Sequence, residues 1–182
     1  DKPEKVGERV LDYQVIGTDD DISKYVELAE FVITVGQIDS PHLRVKLHNM
    51  VKQVGGCLAN IVAPTAYVSK YSRIGKGTVV MHHSMVNSDA VIGEGCIINS
   101  FANIEHDVTM GSCCHISTGA MVNGNCTLGN GVFVGSHTVI NQGLRICDEV
   151  VIGSMSVVNK SIQNKGVYVG IPANLLKDND CR

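Results

Sequence analysis

The chain lacks tryptophan altogether and holds only three Phe, five Tyr and four Pro in 182 residues. Large rings therefore cannot carry its interior, and the core has to be assembled from small aliphatic side chains. It has no C-x-x-C pair, and its seven cysteines are odd in number, which argues against a disulfide framework and for a reducing, cytoplasmic setting. It has no run of Lys or Arg and a net charge of −3, so it offers no surface for tracking phosphates, and nucleic acid is not an expected partner. No window approaches the roughly 18 uninterrupted apolar residues of a spanning helix, so membrane insertion is not expected either. The first residues are Asp1-Lys2-Pro3; no signal peptide is expected, and the natural start is expected to precede them.

What the chain does have is a period. From Val62 to Val158 an aliphatic residue stands at every sixth position, 17 times without a gap: Val62, Val68, Ile74, Val80, Val86, Ile92 and so on through Ile98, Ile104, Met110 and Ile116 to Ile152 and Val158. Ile, Leu, Val and Met make up 57 of the 182 residues, so an unbroken run of that length is not a chance pattern. Four residues after each of these positions comes a second inward slot dominated by small residues, among them Ala66, Thr78, Ala90, Cys96, Ala102, Cys114, Ala120 and Cys126. Gly follows the aliphatic residue at Gly75, Gly93, Gly111, Gly129, Gly135 and Gly153, where its backbone freedom is expected to help the chain turn. A period of six suits neither a helix nor a hairpin. It suits a chain that lays down a short strand, turns and repeats, three sides making a coil of about 18 residues. Residues 61–162 then form five to six coils of a parallel β-helix. Only 11 of those 102 residues are charged, against 22 of the other 80, so its faces are expected to be covered by neighbouring prisms.

Residues 1–60 read as a small, partial α/β domain, Rossmann-like, with strands at 13–16 and 30–35 and helices at 21–29 and 41–54. In the second helix Ser40 can cap, Pro41 suits the first turn, and Leu43, Leu47, Met50, Val51 and Val54 make one apolar face. Residues 163–182 form a tail.

The hexads, together with Asn103-Ile104-Glu105-His106-Asp107 and Val169-Gly170-Ile171-Pro172-Ala173-Asn174, resemble the bacterial sugar acyltransferases of the left-handed β-helix superfamily. The branch most similar contains the UDP-4-amino-sugar N-acetyltransferases and the sialic acid O-acetyltransferases. The resemblance implies a homotrimer that uses acetyl-CoA, needs no metal, and acts on the 4-amino group of a nucleotide-linked 4-amino-4,6-dideoxy sugar, with active sites between prisms. Members of that branch begin with a strand and a Gly-rich turn, and nothing of that kind precedes Asp1 in this sequence.

His106 sits two residues after inward Ile104, so its ring should lie on the outer wall between two carboxylates, Glu105 and Asp107. Acyl transfer needs a base for the acceptor's proton, and the resemblance makes His106 that base, with Asp107 its partner and Glu105 the second choice. One coil later stands Gly124, where a missing side chain would leave room for a thioester arm. By resemblance His115, Gly124, Ser136 and Ser154 line the acetyl-CoA channel, His115 near the thioester carbonyl, with Asn99 near the acceptor. Gly36 and Asp1 match contacts to the sugar nucleotide. His82, His83 and His137 read as surface, His42 and His48 as ordinary helix residues, Cys114 as packing and Cys113 as an exposed neighbour of it.

Other readings use the same fold. Sialic acid O-acetylation would employ the same machinery. A zinc enzyme like the γ-class carbonic anhydrases needs three converging His, and the spacings of His82, His106, His115 and His137 do not reproduce its pattern. A structural or binding prism would show ranks of Thr on one face, where this chain has His, Asn and Gly.

Overall fold

The computed structural model describes residues 3–178; Asp1 lies outside them. Seventeen two-residue strands, β3 to β19, run from Ile61–Val62 to Val157–Val158 and form a three-walled parallel β-solenoid of about six turns. Each strand up to Val139–Ile140 pairs with the one 18 residues on, as Ile97–Ile98 pairs with His115–Ile116 and Asn103–Ile104 with Met121–Val122. The first wall contains the strands at Val79, Ile97, His115, Phe133 and Val151, the second those at Met85, Asn103, Met121 and Val139, and the third those at Val91, Thr109 and Thr127.

The aliphatic column fills the axis of the prism. From Val80 onward every one of its members is at most 3% exposed, whereas Val62 in the first coil is 46% exposed. Threonine and cysteine in the small slot are accommodated because their side chains reach a corner carbonyl 15 residues on. Thr78 Oγ1 donates to Gly93 O at 3.0 Å, Cys96 Sγ to Gly111 O at 3.2 Å, Cys114 Sγ to Gly129 O at 3.0 Å and Thr138 Oγ1 to Gly153 O at 2.7 Å. At the far end the strands β20 (Gly166–Val169) and β21 (Asn174–Asp178) form an antiparallel pair that continues the first wall, with Tyr168 and Ala173 packed on the core.

The glycines differ from expectation. The positive φ recurs every six residues at a different position, including His83, Asp89, Gly95, Phe101, Asp107, Cys113, Gly119, Asn125, Gly131 and His137. Gly93, Gly111 and Gly129 are absent from that set and serve another need. A Cβ on Gly93 would lie 2.5 Å from the backbone carbon of Gly111, and one on Gly111 would lie 2.7 Å from that of Gly129. They permit successive coils to approach; they do not turn the chain.

The segment before the solenoid also departs from the expected parallel α/β unit. Arg9–Val10 (β1) and Tyr13–Gln14 (β2) form an antiparallel hairpin, and Asp19–Lys24 is a 3₁₀ helix whose capping box joins Thr18 and Asp21. Residues 30–35 form no named strand and contribute only a bridge between Phe31 and Leu58. The reason is a side chain. Arg44, on helix α1 (His42–Gln53), donates to the carbonyls of Ile33, at 3.0 Å, and Val35, and to Gly95 O at 2.9 Å. Backbone acceptors that a sheet would have used are satisfied by a guanidinium. The buried stripe of α1 is accordingly Arg44, His48 and Val51, while Leu43 and Val54 are exposed. The helix settles on the positive-φ corner of the third wall: a Cβ on Gly95 would meet the His48 ring at 3.0 Å, and one on Gly131 would meet Pro41 at 2.7 Å. Cys113 lies on that corner too and is buried, contrary to its expected exposure.

Two alanine substitutions separate the roles of glycine. Gly93→Ala should destabilise the fold by about 3 kcal/mol through backbone overlap, and Gly143→Ala, at φ 72° with open space around it, by only about 1 kcal/mol of conformational strain. Urea denaturation would check this, and equal losses would contradict the stacking role.

Candidate active site

His106 stands where the second wall turns toward the third. Its Nδ1 is 2.8 Å from Asp107 Oδ2, and both side chains are more than half exposed. Asp107 has φ 60°, a conformation Asp tolerates better than most residues. Because the corner turns there, the carboxylate comes back alongside its neighbour's ring. The hydrogen bond that His106 donates to Asp107 raises the basicity of the ring above the ordinary histidine value, and the negative charges of Asp107 and Glu105 add to the effect.

Glu105 has a different employment. Asn87 Nδ2 donates to its Oε2 at 2.9 Å and Asn103 Nδ2 to its Oε1 at 3.1 Å, and these bonds hold its carboxyl below the usual carboxylate range. It acts on the imidazole through space, as a fixed negative charge.

Gly124 lies directly under the ring. A Cβ there would sit 2.7 Å from His106 Cε1 and 2.8 Å from Nε2. The missing side chain is what lets the ring lie against the next coil, at the position where room for a thioester arm is expected. Around it opens a groove of about 570 Å³ lined by Glu105, His106, Asn123, Gly124, Asn125, Gln142 and Gly143.

The remaining candidates occupy other faces of the same chain. His115 is buried on the first wall, its Nδ1 2.7 Å from Gln37 O and its Nε2 3.2 Å from Asn99 Nδ2. Burial lowers its basicity, in contrast to His106. Ser136 Oγ is 3.0 Å from Ser117 Oγ, and Ser154 is exposed one coil further on. Gly36 is exposed in the segment leading to α1, with open space where a Cβ would stand. Gln37, which our reading of the sequence did not single out, is buried beside it and donates from Nε2 to Cys113 O at 2.7 Å. No local pattern marks it, since its contacts lie 76 and 78 residues away. His82 pairs with Thr65 at 2.9 Å, and His137 covers Gly119. Among the described residues no three His, Cys, Asp or Glu side chains converge as a metal site, and no helix is long and apolar enough to cross a membrane.

The family description bacterial transferase hexapeptide (six repeats) matches residues 71–106 and 89–124. A search of curated protein sequences finds no significant match. Among solved structures, a histidine-to-asparagine mutant of perosamine N-acetyltransferase from Caulobacter crescentus in complex with CoA and GDP-perosamine is similar at a TM-score of 0.89. It is 29% identical over 94% of this chain and 82% of that one. The acetyltransferase domain of PglB from Neisseria gonorrhoeae in complex with acetyl coenzyme A gives 0.88 and 28% over 92% and 81%. WeeI from Acinetobacter baumannii, at 24% identity, shares the fold with a TM-score of 0.87 over 96% and 84%. The chain carries the hexapeptide repeats of bacterial transferases over residues 71–124, and as a whole it is similar to solved CoA-dependent sugar acetyltransferases.

The Asp107 contact can be tested without a substrate. Asp107→Asn should move the His106 titration midpoint down toward the ordinary histidine value in ring NMR. An unchanged midpoint would assign the effect to Glu105.

Proposed function

We propose that the chain transfers the acetyl group of acetyl-CoA to the 4-amino group of a nucleotide-linked 4-amino-4,6-dideoxy sugar, for bacterial surface glycan or glycoprotein synthesis in the cytoplasm. The observation that carries this reading is the His106–Asp107 pair lying over Gly124 in an open groove. It is supported by the solved relatives that hold CoA with GDP-perosamine, or acetyl coenzyme A.

The geometry suits direct attack. Nδ1–H of neutral His106 donates to Asp107, which leaves Nε2 with a lone pair over the groove. As the acceptor nitrogen bonds to the thioester carbon, Nε2 takes its proton, and the thiolate leaving group takes one in turn. Asp107 and Glu105 stabilise the imidazolium that forms between these events. Because the ring's basicity is raised, activity requires a pH above that raised value and falls as His106 protonates.

A second cluster, Asn99, His115, Ser136 and Ser154, lies along the first wall, away from the His106 corner. The reading joins the two across the interface of a homotrimer of left-handed prisms, acetyl-CoA running along the first-wall cluster of one subunit toward the His106 of its neighbour. Gly36 and Asp1 are proposed to contact the sugar nucleotide. In this arrangement residues 1–60 serve the acceptor and 61–162 the chemistry, while β20 and β21 close the last coil.

Mass spectrometry of acetyl transfer to UDP- and GDP-4-amino sugars, free and CMP-linked sialic acid, and serine should give a product on an amino sugar. His106→Ala should lower kcat by about 10²- to 10⁴-fold. A product on sialic acid would convert the assignment to O-acetylation, and near-normal turnover in His106→Ala would remove the base from the mechanism.

A further inference from the structure

His115 is nine-tenths buried, edge-on to Phe133 at a ring separation of 5.3 Å, and both of its nitrogens are engaged. The carbonyl oxygen of Gln37, 2.7 Å from Nδ1, can only accept, so Nδ1 carries the hydrogen. Burial keeps the ring neutral, and Nε2 is therefore a bare lone pair. Facing it at 3.2 Å is Nδ2 of Asn99, which must be the donor. The sense of that amide is set at its other end, where Oδ1 accepts the Ser100 N–H at 2.7 Å. One N–H of Asn99 is thus committed to His115, and the second is free on a half-buried side chain.

We infer that His115 is a positioning residue and that Asn99 is the group that meets the reacting carbonyl. Gln37 O sets the tautomer of His115, and the ring holds Asn99 so that its free N–H points at the oxygen on which negative charge develops. Our reading of the sequence put His115 itself beside the thioester carbonyl. With Nε2 unprotonated the ring has no hydrogen to give, and its lone pair would repel an oxyanion. In the transfer step the acceptor nitrogen bonds to the carbonyl carbon and the π pair moves to oxygen, where Asn99 donates. The pair then returns as the C–S bond breaks and the sulfur leaves with the bonding electrons. The nitrogen's proton goes to His106. Gln37 directly follows Gly36, so the position of the segment proposed to touch the sugar nucleotide is transmitted through one carbonyl to the ring that aims Asn99.

The tautomer rests on hydrogen bonds alone, whereas the task of the free N–H rests on the acetyl-transfer reading, and two measurements keep these apart. ¹⁵N-histidine NMR of the intact, ligand-free protein at neutral pH, with His115 assigned by its loss in His115→Gln, should show a protonated Nδ1 and an unprotonated Nε2. A protonated Nε2 would overturn the proposal. For acetyl transfer, Asn99→Ala and His115→Ala should each lower kcat by about 10²-fold. The double variant should be no slower than the slower single one, because one residue acts through the other. His115→Gln, which keeps an acceptor near the Nε2 position, should recover activity relative to His115→Ala. Losses that multiply to about 10⁴-fold in the double variant would make His115 an independent donor and overturn the relay. If no acceptor were acetylated, the role given to Asn99 would fall with the acetyl-transfer reading, while the NMR result would still decide the tautomer.

Discussion

Everything in this molecule hangs on the parallel register of 18 residues between successive coils. A parallel ladder ties each two-residue strand to its neighbours at a regular spacing of about 4.8 Å, and where the third wall ends that spacing leaves no room for a side chain. The glycine column at positions 93, 111 and 129 meets that condition with bare Cα atoms. Once coils are that close, residues 18 apart become contacts. His106 and Gly124 are such a pair, and so are Asn87 and Glu105.

The two histidines of interest show how one scaffold sets opposite electrostatic characters. His106 lies on an exposed corner between two carboxylates, so its charged form is favoured. His115, nine residues along, is on a wall covered in part by Gln37 and Phe133, so its charged form is disfavoured. Exposure alone would have left both near the ordinary value. What separates them is a turn that brings Asp107 back against one ring and a packed segment that seals the other.

The solenoid was legible in the sequence because its rule is local and repeated. An aliphatic residue every six positions and a small one four later determine which side chains face the axis, and Cys96, Cys114 and Cys126 fall where that rule puts them, in buried slots. What was not legible is non-local. The burial of Cys113 depends on α1 lying over it, and the loss of a strand at 30–35 depends on Arg44 reaching two carbonyls. A glycine's letter likewise does not say whether it is wanted for its dihedral or for its missing carbon. At Gly93 and Gly124 it was the carbon. The corner of Glu105, His106 and Asp107 could be recognised as a cluster because the three are consecutive. Gln37, joined to His115 across 78 residues, could not.

The positive-φ corners recur every six residues whether or not Gly occupies them, and they are filled by residues as different as His83, Phe101, Asp107, Asn125 and Met155. These side chains leave the axis undisturbed, so chemistry and stability are inherited separately, the first on corners and the second inside. Length obeys a stricter rule. Losing or gaining one residue would throw every later aliphatic side chain out of the core, whereas removing 18 would delete a storey and leave those above and below in register. A protein built this way can grow or shrink only in whole coils, and the distance from its catalytic corner to either end changes in steps of one strand spacing.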